Sequence, residues 1–247
     1  MKACLLSLLV FGLSLTAFAA DSRDVTYQSG AETVHALLYT PSSGSGPFPA
    51  LVVIHEWWGL NDWIKQQASN YADQGYVTLA IDLYRGEVAT TPDEAHQIMR
   101  GVPKDRAQRD LLAATTYLHS LSNVNSKRIG AIGWCMGGGY ALDLAVADPR
   151  LKAVVINYGH LASDKATMKK IHAAVLGIFG GEDKGIGVAD IRKFETQLEA
   201  MGKKVEIHIY PNAGHAFENP NNKEGYRPQD AADAEKLTAD FLARNLK

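Results

Sequence analysis

The chain has 247 residues, 25 basic and 27 acidic side chains for a net charge of −2, 46% hydrophobic residues and two cysteines. These values exclude collagenous, disordered and disulfide-knotted classes, and the lack of any block of five like charges sets aside nucleic acid and anionic lipid as partners. A chain of this length can bury one large α/β core without help from metals or bridges.

Met1 and Lys2 precede an uncharged run over residues 3–20, in which Ala17-Phe18-Ala19 places small residues at the two positions a signal peptidase reads. Residues 1–19 are therefore expected to be a secretory signal cut after Ala19 or Ala20, short for a membrane span and interrupted by Ser7, Ser14 and Thr16. The prediction is a periplasmic or secreted protein, free of the membrane after cleavage, with residues 21–247 as one domain. Removal of the signal takes Lys2 and Cys4 with it and leaves Cys135, which can form no internal disulfide in an oxidising compartment. Such a thiol is either buried and inert or reactive.

Residues 34–39 alternate as a half-buried strand, and a turn-rich loop follows over 41–47. Short apolar runs at 50–54, 76–81, 128–133, 152–156 and 174–179, with one more at 205–210, have the character of parallel strands covered on both faces. Helical spacing occupies 61–74, 93–101, 105–121, 138–147, 188–201 and 229–245. This alternation predicts an α/β fold, a mostly parallel sheet with helices on both faces and a ligand site beyond the carboxyl ends of the strands. There is no internal repeat.

Gly133-Trp134-Cys135-Met136-Gly137-Gly138-Gly139 follows one of these strands directly and opens a helix. It is a nucleophile-elbow pattern with cysteine in place of serine: a sharp strand-to-helix turn crowds its flanks, so glycine is needed two residues before and two after the reactive side chain. The helix amino end adds positive potential, and the Met136 amide is placed to meet an oxyanion. No Gly-Lys-Ser/Thr follows, which disfavours a phosphate loop.

A nucleophile of this kind requires a base and an orienting acid, in the chain order nucleophile, acid, histidine. Asp183 lies in the loop after 174–179, with Glu182 as a rival acid and Asp190 a weaker one, and His215 lies in the loop after 205–210. The other seven histidines show no paired metal spacing, so no metal is assigned. In His55-Glu56-Trp57-Trp58-Gly59, at the end of 50–54, the Trp57 amide would complete the oxyanion site. Glu56 is either a surface carboxylate beside a helix start or a group that holds a proton near the thiol.

Together with Asp82-Leu83-Tyr84-Arg85-Gly86 and the Gly214-His215-Ala216-Phe217 stretch, these motifs resemble the dienelactone hydrolase family over nearly the whole mature chain. The resemblance implies an α/β-hydrolase fold with Cys135 as nucleophile, His215 as base, Asp183 as orienting acid and the resting thiol hydrogen-bonded to Glu56. The family's type substrates are carboxylate-bearing unsaturated lactones held by two arginines. Arg85 matches the first, but Asn219 stands four residues after His215, where the second belongs, beside the acidic Glu218. A lost bidentate contact of this kind is worth on the order of 1.5–3 kcal/mol. Arg227 in the following loop is a possible substitute.

The expected function is hydrolysis of a small ester or lactone through a thioester on Cys135, without a cofactor, in a pocket lined by Trp57, Trp58 and Tyr84. Two other classes compete: a catalytically silent binding module on the same fold, and a thiol redox protein that borrows an external resolving thiol.

Overall fold

The computed structural model describes residues 20–247, and the expected signal segment lies outside the described residues. β1 (Asp21–Ser29) and β2 (Glu32–Thr40) form an antiparallel hairpin whose two-residue turn uses Gly30 at φ 63°. β2 runs antiparallel to β4 (Val77–Ile81), which pairs in parallel with β3 (Phe48–Ile54). From β3 the sheet continues in parallel through β5 (Val124–Trp134), β6 (Ala153–Asn157), β7 (Ala174–Gly180) and β8 (Val205–Tyr210). The order is β1-β2-β4-β3-β5-β6-β7-β8, so the elbow strand β5 lies near the centre of the sheet and β8 at its edge.

The apolar runs are continuous because both faces of the sheet are covered. On one face, Ala50, Val52 and Ile54 of β3 belong to a core closed by α3 (Lys104–Ser120), α4 (Met136–Ala147) and α6 (Val188–Ala200), which contribute Leu111, Leu142 and Phe194. On the opposite face, Leu51 and Val53 belong to a core closed by α1 (Asp62–Asp73) and α7 (Pro228–Leu246), which contribute Ile64, Tyr71 and Phe241. Each such fully buried aliphatic side chain contributes about 1.5–3 kcal/mol. Among the described residues, no helix is long and apolar enough to cross a membrane.

Four boundaries differ from the periodicity. β1 is an additional strand, hidden in the sequence because it is an edge strand that buries only Tyr27 and Ser29. β5 starts at Val124, through a polar stretch whose exposed residues mask it. α4 starts at Met136 rather than 138, immediately after the thiol. α2 (Pro92–Arg100) is the helix expected over 93–101, and a five-residue helix, α5 (Lys165–Lys169), is additional, between β6 and β7.

Candidate active site

The turn from β5 into α4 forces Cys135 to φ 56°, ψ −118°, a conformation that L side chains rarely adopt. Its backbone is fixed from two sides. The Cys135 amide donates to the Asn157 carbonyl at 2.9 Å, and the Cys135 carbonyl accepts from the amides of Gly138 and Gly139 at 3.1 and 3.3 Å. Asn157 also donates its side-chain amide to the Gly133 carbonyl at 3.1 Å. A Cβ at Gly137 would collide with the carbonyls of Ile54 and His55, so glycine here lets the helix start press against the end of β3.

Asp183 follows β7 and His215 follows β8, and the loops bring both to the thiol. His215 Nε2 lies 3.0 Å from Cys135 Sγ, and Nδ1 lies 2.7 Å from Asp183 Oδ2. Since a carboxylate only accepts, Nδ1 carries the hydrogen and Nε2 faces the sulfur. Asp183 Oδ1 accepts from the amides of Gly185 and Ile186 at 2.8 and 3.2 Å. Burial works to raise the Asp183 carboxyl, but the bond from His215 and these amides overturn it and hold the group below its ordinary value. For His215, burial opposes the charged ring, but Asp183 and Cys135 outweigh it and hold the imidazole above its ordinary value.

Cys135, His215, Glu56, Trp57 and Trp58 line one cavity of about 540 Å³, within the range of small-molecule sites. Met136 is the first residue of α4, so its amide is among those a helix leaves without an intrahelical partner. The loop carrying Trp57 is braced from behind by His55, which is fully buried. Its Nε2 accepts from the Leu83 amide at 3.2 Å and its Nδ1 donates to the Glu56 carbonyl at 2.6 Å. Burial lowers its pKa, so His55 is a neutral tie between the two loops.

Three expectations about site residues change. Tyr84 is buried and does not line the cavity; its hydroxyl donates to the Trp57 carbonyl at 3.0 Å and contacts Met136 Sδ at 3.3 Å, bracing the wall instead of forming it. Arg85 does not reach the cavity either. Its guanidinium is held by the buried Asp110 at 2.7 Å and by Glu32 at 2.9 Å, because a carboxylate inside the core needs a cation more than the solvent-facing site does. Thirdly, the thiol meets His215, whereas Glu56 Oε2 accepts from Asn219 Nδ2 at 2.6 Å. A buried carboxyl needs a donor, and the Asn219 amide supplies it.

In the sequence Glu218 shows only as a charge beside Asn219. Its Oε2 accepts from Trp134 Nε1 at 3.3 Å, while its Oε1 and that of Glu56 are buried without a hydrogen-bond partner. Burial pushes Glu56 up to about 7. Burial, and then the neighbouring Glu56 and Glu235, push Glu218 up to about 8 against the Trp134 bond. Carboxyls raised on folding stabilise the fold in acid and lose that contribution as pH rises through their folded values. Glu218→Gln, which keeps an acceptor for Trp134, is thus expected to flatten the fall in unfolding free energy between pH 5 and pH 9. The residue is partly exposed, which limits the effect to roughly 2–3 kcal/mol. Urea titrations at the two pH values check it, and an unchanged slope would count against the buried-acid assignment.

A mostly parallel sheet with a sharp strand-to-helix turn at Cys135 after a central strand, an acidic residue after β7 and a histidine after β8 defines an α/β-hydrolase. The sequence profile of the dienelactone hydrolase family matches residues 34–246, and the chain belongs to that family. A Methylorubrum extorquens protein provisionally named carboxymethylenebutenolidase is 34% identical over 216 residues, which cover 82% of this chain and 74% of that protein. An Escherichia coli protein with the same provisional name is 30% identical over 207 residues, covering 78% and 76%. Two solved structures share the fold at 24% identity. One is a provisionally named dienelactone hydrolase from Klebsiella pneumoniae, with a TM-score of 0.82 over 92% of this chain and 99% of that one. The other is a dienelactone hydrolase-like promiscuous phosphotriesterase from metagenomic libraries, with a TM-score of 0.85 over 93% and 100%.

Proposed function

We propose that the chain hydrolyses small carboxylic esters or lactones through a covalent thioester on Cys135, after export and removal of residues 1–19. The observation that carries this reading is the 3.0 Å contact between His215 Nε2 and Cys135 Sγ, with Asp183 2.7 Å behind the imidazole, at the wall of the cavity.

In this mechanism His215 takes the thiol proton as sulfur attacks the carbonyl carbon of the substrate. The carbonyl oxygen becomes an oxyanion, held by the amides of Met136 and Trp57. Collapse of this intermediate breaks the carbon–oxygen bond, and the alkoxide leaves with the proton from His215. Water then gives a proton to the same nitrogen while attacking the thioester, and the acid product departs as the thiol is restored. Asp183 keeps the ring in the required tautomer throughout. The chemistry uses only these groups.

The test is a burst assay with 4-nitrophenyl acetate followed by intact-mass analysis. The expected result is an enzyme heavier by one acetyl group in the wild type and unmodified protein in Cys135→Ala. An adduct on another residue, or turnover that survives in Cys135→Ala, would overturn the thioester route. Amino-terminal sequencing of the exported protein checks the signal, with Ala20 or Asp21 expected as the first residue.

A further inference from the structure

The cavity holds an acid but no guanidinium among the described residues that line it. Its walls near the thiol are Trp57, Trp58 and Ala216, and its polar side is Asn219, Asn221 and Asn222. Lys223 and Glu224 stand exposed at the rim with opposite charges. The two arginines that could have served an anion are engaged elsewhere. Arg85 is paired with Asp110 and Glu32, and the Arg227 guanidinium donates to the carbonyls of Glu224 and Tyr226 at 3.0 and 3.2 Å.

Asn219 is buried and fixed: Nδ2 donates to Glu56 Oε2 at 2.6 Å, and Oδ1 accepts from the Asn221 amide at 2.9 Å. It therefore holds an acidic group in the wall with a neutral partner. A substrate carboxylate would lose its hydration, meet no bidentate cation and lie near Glu56, whereas an uncharged acyl chain would lie on the indole rings. We propose that the cavity selects uncharged esters or lactones with an apolar acyl body, and that Asn219 sets this preference by giving Glu56 a neutral amide partner in place of a guanidinium. This inference rests on the ester-hydrolase reading given above.

The experiment compares kcat/KM for 4-nitrophenyl hexanoate with that for the mono-4-nitrophenyl ester of adipic acid, which differs by a terminal carboxylate. Each value is normalised to the ester's spontaneous hydrolysis. The wild type is expected to favour hexanoate tenfold or more. Asn219→Arg is expected to narrow that ratio at least tenfold, and Lys223→Ala to leave it in place. Should the buried Asn219→Arg variant fail to fold, the wild-type ratio and Lys223→Ala still decide. Equal normalised rates, or a preference for the adipate ester that Lys223→Ala removes, would overturn the selectivity while leaving the hydrolase reading intact. No turnover of either ester, with no adduct on Cys135, would overturn that reading and this inference with it.

Discussion

Cys135→Ala is expected to lower kcat/KM toward an activated ester by on the order of 10⁴- to 10⁶-fold while leaving the fold in place. Alanine removes the atom proposed to form the covalent bond, and His215 is left 3.0 Å from a position with no sulfur. What survives is the cavity and the oxyanion amides, which retain a small residual acceleration. Stability should move the other way in a companion variant. Because residue 135 sits at φ 56°, Cys135→Gly relieves a conformation that alanine must still bear, by about 1–2 kcal/mol. Thermal unfolding should therefore place Cys135→Gly about 2–6 °C above Cys135→Ala, with both inactive. Equal melting temperatures would mean that the elbow stores no strain.

Gly137→Ala is expected to cost on the order of 3–5 kcal/mol or to abolish soluble protein outright. The new Cβ would meet the Ile54 and His55 carbonyls, which are backbone atoms at the end of β3. They cannot retreat without moving the loop that carries Glu56 and Trp57, so damage to stability and to the oxyanion site should arrive together. Gly202→Ala is the control: glycine there has φ 68° and open space around the missing Cβ, so only the backbone penalty of about 1 kcal/mol applies. Urea denaturation of the two variants separates collision from conformation; similar losses would show that α4 can slide away from β3.

The features readable from the sequence were those fixed by local sterics or by strand order. Glycines flanking Cys135, and an acid and a histidine each just beyond an apolar run, are dictated by the elbow and by the sheet's carboxyl edge, and the fold brings these three residues together. Pairings across long separations were not readable. Nothing near Arg85 announces Asp110, although one signal was present: Asp110 shares the core-facing stripe of α3 with Ala107, Leu111 and Ala114, and a charge at such a position demands a partner. Glu56 and Asn219 lie 163 residues apart, and their bond depends on how the loop after β8 folds back. β1 escaped notice because an edge strand with mostly exposed side chains has no hydrophobic run to display.

The proposed nucleophile and its base are anchored with unequal security. Cys135 leaves β5, held on both sides by β3 and β6, whereas His215 leaves β8, which among the described residues pairs with β7 alone and has mostly half-buried side chains. Local opening of the last strand would carry the imidazole away while the rest of the sheet persists. Esterase activity should therefore vanish at urea concentrations below the main loss of ellipticity. Amide protons of residues 205–210 should exchange with deuterium well before those of 129–134. Catalysis lost in this way would return on dilution at the speed of a strand re-docking, without waiting for the molecule to refold.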